Sequence, residues 1–199
     1  MSVAMMPLPE RSPLPFDPTM APAERCRLLV AAFPGALREI LAAGTLEHRP
    51  RFGESGFEGL QENWLPPAAL SARQVAVAQR VLADLQDSIL APAEPDHLLG
   101  RVLALLSHFP AKGLPPDVER LVAMDWVEDL GEFPAWAIDD AARAWRRTRK
   151  WRPSIAEMRA LCEEACAKER AVAQRLRQIV QAFQASDAGT GLAEIRRFP

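Results

Sequence analysis

Between Ser154 and Phe183 the apolar residues Ile155, Met158, Cys162, Ala165, Val172, Leu176, Ile179 and Phe183 fall at alternating spacings of three and four, with one gap at Glu169. That period belongs to an α-helix, and its length makes this helix the element around which everything else must be arranged. It opens at Ser154-Ile-Ala-Glu157, a capping box in which the serine oxygen accepts from the Glu157 backbone N–H and the glutamate reaches back to the serine N–H. A seam of this kind requires a partner helix. The sequence allows two: a helix of the same chain, or a second copy giving a homodimer through residues 155–183.

The preceding segments supply candidates. Val75, Ala78, Val81, Leu82, Leu85 and Ile89 carry helical spacing, with Ser71 as N-cap and Ala91-Pro92 as the stop. Asp96 is expected to cap the next helix, whose Leu98, Leu99, Val102, Leu103, Leu105, Leu106 and Phe109 are apolar almost all round, which places it centrally. Val118, Leu121, Val122, Trp126 and Leu130 mark another, with Asp117 and Glu119 at its positive end and Gly131 as its C′ residue. Pro134 opens a further helix with Ile138, Ala141, Trp145 and Thr148 on one stripe and an Asp139–Arg143 pair across one turn. Ala23 to Ala43 is helical in pattern, interrupted at Phe33-Pro34-Gly35. Gly44 to Pro67 carries Phe52, Phe57 and Trp64 without period, so it is read as a long connection that packs aromatic anchors.

These elements predict an all-α fold: a compact bundle of about six helices with a long C-terminal helix and flexible tails. The expected organisation is a disordered Pro-rich arm at 1–22, a helical extension and long loop at 23–70, a helical body at 71–184 and a flexible tail at 185–199.

Composition excludes several roles. Lys and Arg total 24 against 26 Asp and Glu, so the chain lacks the basic excess of a protein that coats nucleic acid, and any such contact must be local. Three cysteines, Cys26, Cys162 and Cys166, form no disulfide framework, which fits a reducing, cytoplasmic setting. The early prolines break any signal-peptide helix, and the best apolar run, Leu98 to Phe109, contains Arg101 and His108, so no membrane span is expected. His48, His97 and His108 stand far apart, and no phosphate loop, dinucleotide fingerprint or nucleophile elbow occurs. Cys162 and Cys166 offer two thiolates where a closed zinc site needs four ligands, so they are assigned to core packing. No catalytic residue, metal or cofactor is expected, and the chain is read as a non-enzyme.

Charge distribution is more informative. From Asp117 to Asp140 the chain carries eight acids against Arg120 alone, and then Arg143, Arg146, Arg147, Arg149 and Lys150 follow, continued by Arg152. Trp145 and Trp151 flank this basic run, and cations beside aromatic rings are what phosphate contact and base stacking require. An acidic protein surface is an equal partner on charge alone.

From Trp126 to Cys162 the chain reads Trp126-x3-Leu130-x2-Phe133-Pro134-x3-Ile138-x2-Ala141-x3-Trp145-x7-Pro153-Ser154-x2-Glu157-Met158. This stretch resembles the C-terminal helical module of uncharacterised prophage proteins of GC-rich bacteria and, more distantly, is similar to phage replicative-helicase loader/inhibitor proteins. The resemblance implies a non-enzymatic adaptor of phage DNA replication, with a helical body and a C-terminal segment that contacts a replicative helicase. Leu192, Ile195 and Phe198 would then form the contact. Two other expectations stand beside it: a nucleic-acid-binding accessory protein using the basic 143–152 segment, and a self-associating interaction protein using the long seam.

Overall fold

The computed structural model describes residues 14–54, 56–110 and 113–195, with side chains as far as Ser186. In chain order the elements are α1 (Pro22–Ala31), α2 (Gly35–Ala43), β1 (Thr45–Gly53), β2 (Gly56–Leu65), α3 (Ala72–Ser88), α4 (Pro95–Leu106), α5 (Pro116–Leu130), α6 (Ala135–Thr148) and α7 (Ile155–Ile195). The fold is mostly helical but not all-α, because β1 and β2 pair antiparallel across the stretch expected to be a structureless connection. Pro50 and Gly59 disguise the strand pattern. Pro50 is tolerated because, among the described residues, β1 pairs with β2 alone, which leaves its other edge free. Gly59, with φ of 136°, sits where the pairing register slips between Arg51 and Phe52, and Gly56 adopts φ of 109° at the turn.

α7 is the spine, and two cores share it. Its first half carries Met158, Cys162 and Cys166 into a core with Leu98, Val102 and Leu105 of α4, Trp126 and Leu130 of α5, and Ile138 and Trp145 of α6. Its second half carries Val172, Ala173, Leu176 and Ile179 against Val75, Val81 and Leu85 of α3, Leu29 of α1, Leu37 and Ile40 of α2, and Trp64 of β2. Trp136 and Leu90 border both cores, and the Trp136 indole N–H donates to the Ile89 carbonyl at 2.7 Å. The seam partner is therefore this same chain. Met158, Cys162, Leu176 and Ile179 have no exposed surface, so the proposed dimer through residues 155–183 has no apolar seam left to use.

The gap at Glu169 has an equally local explanation. Glu169 is fully buried and meets Arg25 of α1, which is 2% exposed. The guanidinium donates to both carboxylate oxygens, at 2.8 and 3.2 Å, and to the Ala165 carbonyl at 2.9 Å. Trp136 covers it at 4.5 Å and Phe16 at 5.4 Å. A carboxylate on an apolar seam survives because a bidentate cation neutralises it, and a further guanidinium N–H is taken up by the Ala165 carbonyl. Leu14 and Phe16 thus pack onto the second core, although they belong to the stretch expected to be a solvated arm. From residues 23–70, α1, α2 and Trp64 at the base of the hairpin likewise belong to that core.

Helix ends follow local chemistry. The Ser154–Glu157 box forms, with Glu157 N–H donating to Ser154 Oγ at 3.3 Å and Ser154 N–H to the Glu157 carboxylate at 2.9 Å. Ser71 and Gln74 make a second box. Asp96 is not the cap of α4: Glu94 occupies that position, Pro95 takes the first helical position, and Asp96 falls in the first turn. Gly131 ends α5 in a right-handed conformation instead of the left-handed one of a C′ glycine. α7 runs on past Gln184 to Ile195. No helix among the described residues is long and apolar enough to cross a membrane.

Candidate functional site

The basic segment is built by the end of α6. Pro134 caps an alanine-rich helix whose Ala137, Ile138, Ala141, Ala142 and Trp145 are buried on one stripe. The opposite face carries the charges, and Arg146 and Arg147 in the last turn meet the negative end of the helix dipole. At Arg149 the backbone turns extended, and the chain folds back so that Trp145 Nε1 donates to the Trp151 carbonyl at 2.8 Å. The two indoles meet edge to face, 6.4 Å apart at 84°. Arg149 lies 5.6 Å from both ring centroids.

This arrangement sorts the expected site residues. Arg143 is half-buried and held by Asp140 at 2.6 Å, so it is not part of a free cationic surface, and the expected Asp139–Arg143 pair does not form. Asp139 instead takes the Arg101 guanidinium at 2.5 Å and faces His97 at 3.2 Å, because α4 packs against that side of α6. Arg146, Arg147, Lys150 and Arg152 are exposed and make no ion pair among the described residues. Beside them Trp151 presents a ring with 55% of its surface exposed. The segment therefore offers four free cations and one open aromatic face, which suits it to phosphates, bases or an acidic, apolar protein surface.

Leu192 and Ile195 lie on the last turns of α7, where only the backbone is described, and Phe198 falls outside the described residues. Cys162 and Cys166 sit in the first core, and the Cys166 thiol donates to the Cys162 carbonyl at 3.0 Å. Burial pushes the Cys162 thiol up to about 12. Neither is a reactive thiolate.

Two further surfaces escaped sequence reasoning. The first is the hairpin. Its alternation puts Leu46, His48, Pro50 and Phe52 of β1 on one face with Phe57, Leu60, Glu62 and Trp64 of β2. Trp64, and the Asn63–Gln178 hydrogen bond of 3.3 Å, fix the base of the ribbon to α7. Beyond that base the face is open: Phe52 is 71% exposed and Leu60 and Phe57 are more than half exposed, and at the base itself Leu46, paired with Trp64, is half exposed. The polar face carries the Glu47–Arg49 and Arg51–Glu58 pairs. A signal existed in the every-second-residue apolar pattern, but Pro50 and Gly59 broke it.

The second is a groove of 390 Å³ between α4 and α5, walled by Leu103, Leu106, Phe109, Leu114 and Trp126. Glu119 of α5 and Arg152 of the basic segment also line it, so the acidic helix and the basic segment are neighbours in one molecule. No family model, no curated protein and no solved structure matches the chain.

Proposed function

We propose that the chain is a non-enzymatic adaptor that binds a protein partner through its hairpin arm. What supports this reading is the uncovered apolar face of Leu46, Phe52, Phe57 and Leu60 on a ribbon whose base alone is packed. A two-stranded hairpin is marginal in water, and contiguous exposed apolar surface is a mark of interaction sites. The partner class implied by the local resemblance is a replicative helicase. The test is affinity purification from the host lysate with the wild-type chain and with Phe52→Ser/Phe57→Ser. The exposed sites leave the fold intact, so a stoichiometric partner lost from the variant supports the adaptor, and its identity decides the helicase assignment. A partner held equally by both chains, or none at all, refutes it.

A second reading, nucleic-acid contact, is favoured by the open Trp151 ring, which Arg149 faces at 5.6 Å, on the same segment as the exposed Arg146, Arg147 and Lys150. It requires single-strand affinity that falls steeply with salt and with Arg146→Glu/Arg147→Glu. Affinity indifferent to salt removes it.

A further inference from the structure

We infer that the outward face of α5 docks the basic segment, residues 146–152, of a second copy of this chain, and that the two contacts close a two-fold dimer. This goes beyond the adaptor reading and assigns the basic segment to a second copy in preference to a nucleic acid.

Helical spacing puts Asp117, Leu121, Met124, Asp125 and Glu128 on one side of α5 and the buried Trp126 and Leu130 on the other. Leu121 is 60% exposed and Met124 59%, one turn apart. Asp117, Asp125 and Glu128, interleaved with them, are exposed and make no ion pair or hydrogen bond among the described residues. Asp117 is accounted for by the positive N-terminal end of α5. Glu128 is not, because it stands in the last turn, where the helix dipole disfavours an anion. Folding of the monomer thus explains neither the exposed apolar pair nor the Asp125 and Glu128 carboxylates beside it.

The same chain carries the complement. Trp151 is an exposed apolar centre, and Arg146, Arg147, Lys150 and Arg152 of the same segment are cations without acid partners among the described residues. Each patch has an apolar middle and a charged rim, and the rims are of opposite sign. Arg152 lines a groove with Glu119, Val122 and Trp126, on the side of α5 away from the acidic patch, and among the described residues no ion pair joins the two patches within one chain. Two patches of opposite sign on one chain can pair reciprocally about a two-fold axis: the acidic patch of each copy meets the basic patch of the other, and that reciprocal pairing closes the assembly. Three turns of helix against a short segment make a small contact, so the dimer is reversible and salt-sensitive.

The experiment is sedimentation velocity across a concentration series at low and high salt. The wild-type chain is expected to shift from monomer to dimer with concentration at low salt and back to monomer at high salt. Asp125→Lys/Glu128→Lys and Arg146→Glu/Arg147→Glu, checked for folding by circular dichroism, should each remain monomeric alone and form a heterodimer when mixed. The chain combining all four reversals should dimerise again. Leu121→Ser should weaken the dimer and leave its salt dependence unchanged. A wild-type chain monomeric throughout overturns the inference. So does a dimer that survives both charge reversals, which would move the interface to the hairpin. A monomer whose oligonucleotide binding is lost in Arg146→Glu/Arg147→Glu overturns it in favour of nucleic acid.

Discussion

Glu169→Ala tests the most expensive feature of the fold. The substitution leaves the Arg25 guanidinium, 2% exposed, facing Phe16, Trp136 and the Ala165 carbonyl with no anion to balance it. The closest nitrogen–oxygen distance of 2.8 Å sets the charge centres about 4 Å apart, worth about 4 kcal/mol at an effective dielectric of about 20. Removing one member of a buried pair generally costs about 3–5 kcal/mol, so the two figures agree. For a chain of this size about 2–4 °C of Tm is lost per kcal/mol, which predicts a fall of about 6–20 °C. Urea denaturation followed by tryptophan fluorescence and far-ultraviolet circular dichroism measures it directly. The control is Arg25→Met/Glu169→Met, which removes both charges, keeps apolar volume against Trp136 and should recover most of the loss. A cost below about 1 kcal/mol for Glu169→Ala, with an unchanged m-value, would show that water reaches the pair and refute the argument from burial.

Three smaller effects follow from the same geometry. Gly44→Ala places a methyl 2.1 Å from the buried Trp64 ring, so the base of the hairpin must shift, with an expected cost of about 1–3 kcal/mol in urea denaturation. Ser154→Ala removes the serine half of the α7 capping box at a cost of about 0.5–2 kcal/mol. Hydrogen bonds from Ser154 hold the Glu157 carboxyl below its ordinary value, so the contribution of the box is present above that value and is lost as pH falls through the lowered one, and the wild-type advantage over Ser154→Ala should shrink in acid. Burial raises all three thiols and takes Cys162 to about 12, so at about pH 8 a thiol reagent should label the half-buried Cys26 slowly and reach Cys162 and Cys166 only after unfolding. The proton on Cys162 is held more tightly in the folded state, so its contribution is complete below the ordinary thiol value and erodes as pH rises towards 12. A Cys162→Ala chain should lack that alkaline loss in a pH series of urea denaturations.

What the sequence determined by itself is what short-range chemistry determines. The 3.6-residue period with the Ser71 N-cap located α3, the same period with the Ser154–Glu157 capping box located α7, and the prolines and the Phe33-Pro34-Gly35 break located the starts and stops between them, because these signals act within one or two turns. The basic run after α6 was legible for the same reason. Tertiary structure decided the rest. Glu169 reads as a flaw in a seam until Arg25, 144 residues away, supplies its counter-ion. The seam itself is equally compatible with a second copy until α3 and α6 pack along it. Arg143 drops out of the cationic surface because Asp140 holds it, while Arg146 and Arg147 meet no acid among the described residues. The hairpin was hidden because strand pairing is a relation between residues on two segments, and Pro50 and Gly59 break the pattern of each segment taken alone. Which charges are neutralised and which apolar faces remain open are properties of partners distant in sequence, and those partners exist only once the chain has folded.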